Sequence, residues 1–113
     1  MIGVFLIYYK KYVINYGCGC GDNEMVVEAK TREAALNYAY QQAIDEYDMY
    51  AGLHDIPDVE DVCEDWGIED SGSDEAWEKY CETRESWLDY AVEEFDENNF
   101  AHQELLEVEV YDI

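Results

Sequence analysis

Asp74-Glu-Ala-Trp-Glu-Lys-Tyr-Cys-Glu-Thr-Arg-Glu-Ser-Trp-Leu-Asp-Tyr-Ala-Val-Glu-Glu-Phe-Asp96 is the stretch on which the reading of this chain turns. At helical spacing, Trp77, Tyr80, Cys81, Arg84, Leu88, Ala91, Val92 and Phe95 form one mostly apolar stripe. Glu75, Glu78, Glu82, Glu85, Asp89, Glu93 and Asp96 form a second, acidic one. At a rise of about 1.5 Å per residue the seven carboxylates make a ladder roughly 30 Å long. The stretch therefore reads as one long helix, with a core face and a face of continuous negative charge. Ser73 is placed to cap its first turn, and Asp74 and Glu75 suit the positive end of the helix dipole.

Outward from this stretch the charge keeps one sign. The 113 residues carry a net charge of −23, and residues 33–113 hold 26 of the 29 acidic side chains with two of the six basic ones. Such a surface excludes direct binding to nucleic acid or to an anionic membrane, both of which need a basic footprint. Hydrophobic residues at 49% and aromatics at 15% argue for a folded chain in spite of that charge. The length suits one domain, 1–113, with a single modest core. No apolar run reaches the length of a membrane span. The opening Met1–Ile7 reads as part of the first strand and not as a signal peptide, so a cytoplasmic protein with its cysteines as thiols is expected.

In chain order, residues 2–14 are apolar on both faces and read as a central strand. Gly17 to Asn23 is a turn, and residues 24–29 return as a second, antiparallel strand. Thr31 caps a helix from Arg32 to Tyr50 that buries Leu36, Ala39, Tyr40, Ala43, Ile44, Tyr47 and Ala51, and Gly52 ends it. Asp58 caps a short helix to Asp65. Leu106, Val108 and Val110 alternate with Glu107 and Glu109 as a third, half-exposed strand. The expected fold is α+β: a three-stranded antiparallel sheet in the order ββαααβ, first strand central, with two main helices on one face.

Chemistry is sparsely signalled. Cys18-Gly-Cys20 has one residue between its thiols where a zinc pair normally has two, and Cys63, Cys81, His54 and His102 form no second close pair. A redox pair in an exposed glycine turn is the other active reading of Cys18 and Cys20. Thiols without a chemical role, Cys81 among them in the core, are the plainer one. The carboxylates lie at regular spacing on polar faces, which suits solvation better than acid–base work. No catalytic triad, phosphate loop or calcium loop is present, so no enzyme, metal or cofactor is expected. Eleven tyrosines and three tryptophans exceed what so small a core encloses. Tyr47, Tyr50, Trp66, Trp87 and Tyr90 are therefore the candidates for a contact surface, set against the plainer reading of core-capping aromatics with wet polar ends.

In size, charge and the Glu/Asp-Tyr-Trp mixture of residues 45–97 the chain resembles the small acidic phage and mobile-element inhibitors that mimic DNA, of the anti-restriction and anti-CRISPR type. The resemblance implies a basic, nucleic-acid-binding partner protein of a host defence system. The resemblance carries over no functional residue; the charge and aromatic pattern of the chain itself makes the seven-carboxylate ladder, with Trp87 and Tyr90, the expected contact residues. The competing expectation is a non-catalytic adaptor domain whose acidity serves solubility or one basic partner.

Overall fold

The computed structural model describes residues 9–18, 22–53, 55–105 and 107–111. Of the expected strand at residues 2–14, residues 2–8 lie outside the described residues, as do Cys20, His54 and Leu106, and the remainder falls at the start of the strand Lys10–Gly17. In chain order the elements are β1 (Lys10–Gly17), β2 (Asp22–Ala29), α1 (Arg32–Tyr50), α2 (Val59–Trp66), α3 (Asp74–Trp87), β3 (Asp89–Glu94), α4 (Phe100–Gln103) and β4 (Val108–Tyr111). The α+β class holds. The sheet, however, has four strands in the order β3-β1-β2-β4 and is mixed.

β1 and β2 pair antiparallel from Lys10↔Ala29 to Gly17↔Asp22. This register places Tyr12, Ile14, Met25, Val27 and Ala29 on one face, where they meet Ala35 and Ala39 of α1 and Val92 of β3. α1 begins as its sequence dictates: the Thr31 hydroxyl oxygen accepts a hydrogen bond from the Ala34 amide at 3.0 Å. Its fully buried row is Ala35, Ala39, Ala43 and Tyr47, four residues apart, while Leu36, Tyr40 and Ile44 of the expected face are half-buried. Three alanines in succession leave only methyl groups between helix and sheet, and the bulkier neighbours are displaced to the flanks.

The long helix expected over residues 74–96 is corrected. α3 stops at Trp87, Leu88 is extended (φ −72°, ψ 136°), and Asp89–Glu94 forms β3, antiparallel to β1 from Gly17↔Asp89 to Tyr12↔Glu94. Two effects favour the strand. A continued helix would set Glu85–Asp89, Asp89–Glu93 and Glu93–Glu97 as like-charge neighbours one turn apart. As a strand, the same residues satisfy the backbone groups of an otherwise bare β1 edge and bury Val92 opposite Ile14.

With that edge filled, the C-terminal strand takes the other side of the sheet. β4 pairs parallel to β2, Val26↔Val108 to Ala29↔Tyr111, so the expected antiparallel place beside β1 is also corrected. β1 is interior, as expected, but its neighbours are β2 and β3. Nor do two helices cover the sheet: α1 packs on the strands, whereas α3 packs on α2 and on α1.

Buried residues fall into two clusters where one core was expected. The first joins sheet and α1; the second collects Cys18, Tyr47, Ile56, Val62 and Tyr80 between the C-terminal half of α1 and the α2–α3 pair. α1 spans both, through Ala35 and Ala39 at one end and Tyr47 at the other.

Candidate acidic interaction surface

α2 and α3 are positioned by their caps. Asp58 and Asp61 bond reciprocally to each other's backbone amides at 2.9 and 3.1 Å, closing the first turn of α2, and Gly67 ends it in the left-handed conformation (φ 68°). The Ser73 hydroxyl accepts from the Ala76 amide at 3.1 Å at the start of α3. Both helices turn Val62, Cys63, Ala76 and Tyr80 inward, which leaves their carboxylates outside.

On α3, Glu75, Glu78, Glu82 and Glu85 are all exposed, at helical spacings of three and four residues. Asp89 and Glu93 are exposed on β3, and Asp96 is exposed in the loop that follows. The seven therefore do not form one ladder: four stand on a helix and three continue along a sheet edge and its exit. Nor are they equivalent. Glu85 accepts a hydrogen bond from the Tyr40 hydroxyl, which, together with burial, raises the Tyr40 phenol pKa. Glu93 Oε1 lies 2.9 Å from Nε2 of buried His102, while His102 Nδ1 accepts from the Asp96 amide at 2.9 Å, so Nε2 carries the ring proton toward Glu93. Asp96 Oδ1 accepts from the Asn98 amide at 2.9 Å. Glu75, Glu78 and Asp89 enter no ion pair among the described residues.

Both basic side chains of residues 33–113 are committed within this half of the molecule. Arg84 Nη1 sits 3.2 and 3.1 Å from the two Asp48 oxygens, and Asp48 Oδ1 also accepts from the Tyr80 hydroxyl at 2.7 Å. The guanidinium carbon lies 5.7 Å from the Tyr80 ring and 5.9 Å from Trp77. Burial opposes the charge of Arg84, but Asp48 outweighs it and holds the guanidinium pKa above its ordinary value. Tyr80 is driven upward by burial first and by its bond to Asp48 second. Lys79 Nζ lies 4.3 Å above the Trp66 ring and 3.4 Å from Glu82 Oε2. Residues 58–97 carry 17 acidic side chains against these two cations; Lys10 Nζ, 3.9 Å from Glu94 Oε1, adds a third from outside the segment, so among the described residues acidic side chains far outnumber the cations beside them.

The aromatic candidates sort differently from their sequence reading. Tyr47 is fully buried, its hydroxyl donating to the Pro57 carbonyl at 2.6 Å, and Trp87 is half-buried against the second cluster. Tyr90 is 37% exposed and meets Tyr40 edge-on at 5.1 Å. Trp66 at 59% and Trp77 at 57% are the large exposed rings of the acidic half. Trp77, expected on the buried stripe, is exposed: its ring stacks on that of Tyr80 at 5.5 Å with the Arg84 guanidinium beside both, while Tyr80 itself lies in the second cluster.

The cysteines among the described residues are Cys18, Cys63 and Cys81. Cys18 is buried in the second cluster, contrary to an exposed turn, because β1 carries it beneath Tyr47 and Ile56. Cys63 is buried and Cys81 half-buried. Among the described residues no group of three His, Cys, Asp or Glu side chains is arranged to hold a metal ion, and no helix is long and apolar enough to cross a membrane. No family model, curated protein or solved structure gives a significant match to the chain.

Proposed function

We propose that the α2–α3 pair and the adjoining β3 edge act as an anionic surface that occupies the nucleic-acid-binding cleft of a basic protein. This is an inhibitor of the DNA-mimic type, directed at a host defence nuclease or its kin. The observation that carries this reading is the excess negative charge of residues 58–97, whose two cations are spent on Asp48, Glu82 and the aromatic rings. A cleft lined with Lys and Arg for phosphates is complementary to carboxylates held on rigid helices, and preorganisation lowers the cost of ordering them. Exposed Trp66 and Trp77 supply the apolar anchors that charge alone lacks.

Replacing Glu75, Glu78 and Glu82 by Gln and Asp89 by Asn tests this surface while sparing Glu85 and Glu93, which hold Tyr40 and His102. Binding to the basic partner is expected to weaken and to lose part of its salt dependence, and duplex DNA to displace the wild-type protein. The same tryptophans favour a second reading, an adaptor whose contact centres on Trp66 and Trp77 and leaves the partner's DNA site open. A ternary complex of this protein, its partner and DNA would decide for the adaptor.

A further inference from the structure

At the edge of the sheet farthest from β3, between α1 and the start of β4, lies a cleft of about 450 Å³ lined by Tyr16, Met25, Tyr38, Gln42, Glu107 and Glu109. That volume falls in the range of about 300–1,000 Å³ common to small-molecule sites. None of its described lining residues is basic. Its walls are held from behind: the Tyr38 ring packs against Tyr111 at 5.1 Å, and the Tyr111 hydroxyl accepts from Asn37 Nδ2 at 2.8 Å. Glu46, close to Tyr16, accepts from Asn23 Nδ2 at 3.1 Å. The field within is negative from several directions. The Tyr16 phenol is raised by burial and then by Glu46 and Glu107; the Tyr38 phenol by burial and then by Glu109, Tyr16, Glu107 and Asp45.

Such a cleft repels anions. Among the described residues nothing in it offers the three-ligand grouping a metal ion needs. Two phenol rings beside two carboxylates match instead a soft cation of low hydration, attracted by the ring faces and neutralised by the acids. We infer that the α1–β4 cleft is a receptor for an organic cation, a guanidinium or alkylammonium group, with Tyr16 and Tyr38 as aromatic walls and Glu107 and Glu109 as its counter-charge. This inference does not depend on the reading of the α2–α3 surface, which lies toward the opposite edge of the sheet.

The test is a titration of the full chain with N-acetylarginine amide and with tetramethylammonium chloride, against sodium chloride at matched ionic strength, followed by the ring-proton NMR signals of Tyr16 and Tyr38. Saturable shifts are expected with both organic cations and not with sodium. A stronger response to the arginine derivative identifies a guanidinium that bonds the carboxylates; an equal response identifies any alkylammonium held by the rings. Glu107→Gln with Glu109→Gln should weaken binding at least fivefold, whereas Glu75→Gln with Glu78→Gln, equal in charge removed, should not change it. Tyr38→Phe keeps the ring and should bind within twofold of wild type. Linear shifts, equal shifts with sodium, or equal losses in the two Gln pairs would overturn the inference, because each describes general attraction to an acidic protein.

Discussion

Asp48 is bonded at once by Arg84 and Tyr80, so its removal leaves a largely buried guanidinium and a buried phenol without their acceptor. Asp48→Ala is expected to lower the unfolding free energy by about 2 kcal/mol, the range for hydrogen bonds to charged groups, as read from urea midpoints; Asp48→Asn, which keeps an acceptor, should cost clearly less. Tyr47 makes a pH prediction. Burial, followed by the Asp48 charge, pushes its phenol from 10.0 up to about 12. The folded state thus keeps a proton that the unfolded chain gives up, and this contribution to stability is complete below pH 10 and lost as pH rises from 10 toward 12. Tyr47→Phe should reduce the alkaline decline in urea midpoint, while costing about 1 kcal/mol at neutral pH for the bond to Pro57. At this scale the sequence is readable where a residue's neighbours lie within one helix. Arg84 is visibly one turn from Tyr80 and two from Trp77, but Asp48 as its partner is a tertiary fact.

β3 is the element that the sequence conceals. Leu88, Ala91, Val92 and Phe95 share one face only at helical spacing, so the local pattern points to a helix, and the choice of a strand is made by the bare edge of β1, more than 70 residues earlier. The starts of α1, α2 and α3 were legible because Thr31, Asp58 and Ser73 act on amides within three residues of themselves. For the same reason the exposure of the α3 carboxylates is legible in the sequence, whereas those of β3 are exposed on a strand where the sequence points to a helix. Val92→Ala removes two buried methyl groups opposite Ile14 and should cost about 1–2 kcal/mol, whereas Ala91→Ser, at an exposed position of the same strand, should be nearly neutral. Equal effects at the two positions in chemical denaturation would contradict the strand. Amide hydrogen exchange gives a second check: protection should extend beyond Leu88 into residues 90–94 and fall when β1 is perturbed.

Over the whole molecule, a net charge of −23 works against compactness, and the acidic side chains of α2 and α3 stand side by side on packed helices. Added salt shortens the screening length from about 10 Å at 0.1 M to about 3 Å at 1 M. The melting temperature is therefore expected to rise by several degrees between about 20 mM and about 500 mM sodium chloride, even as the same salt weakens the proposed partner complex. A flat response would mean that the carboxylates are compensated locally. The strand order β3-β1-β2-β4 has a further consequence, for the chain as it leaves the ribosome. Both outer strands come from residues 89–111, so the β1–β2 hairpin emerges with its two margins bare and must wait until residues 89–111 are made for either to be covered. During that interval its nearest protection is the helix made next, α1, whose alanine row can shelter one face of the hairpin but neither of its margins.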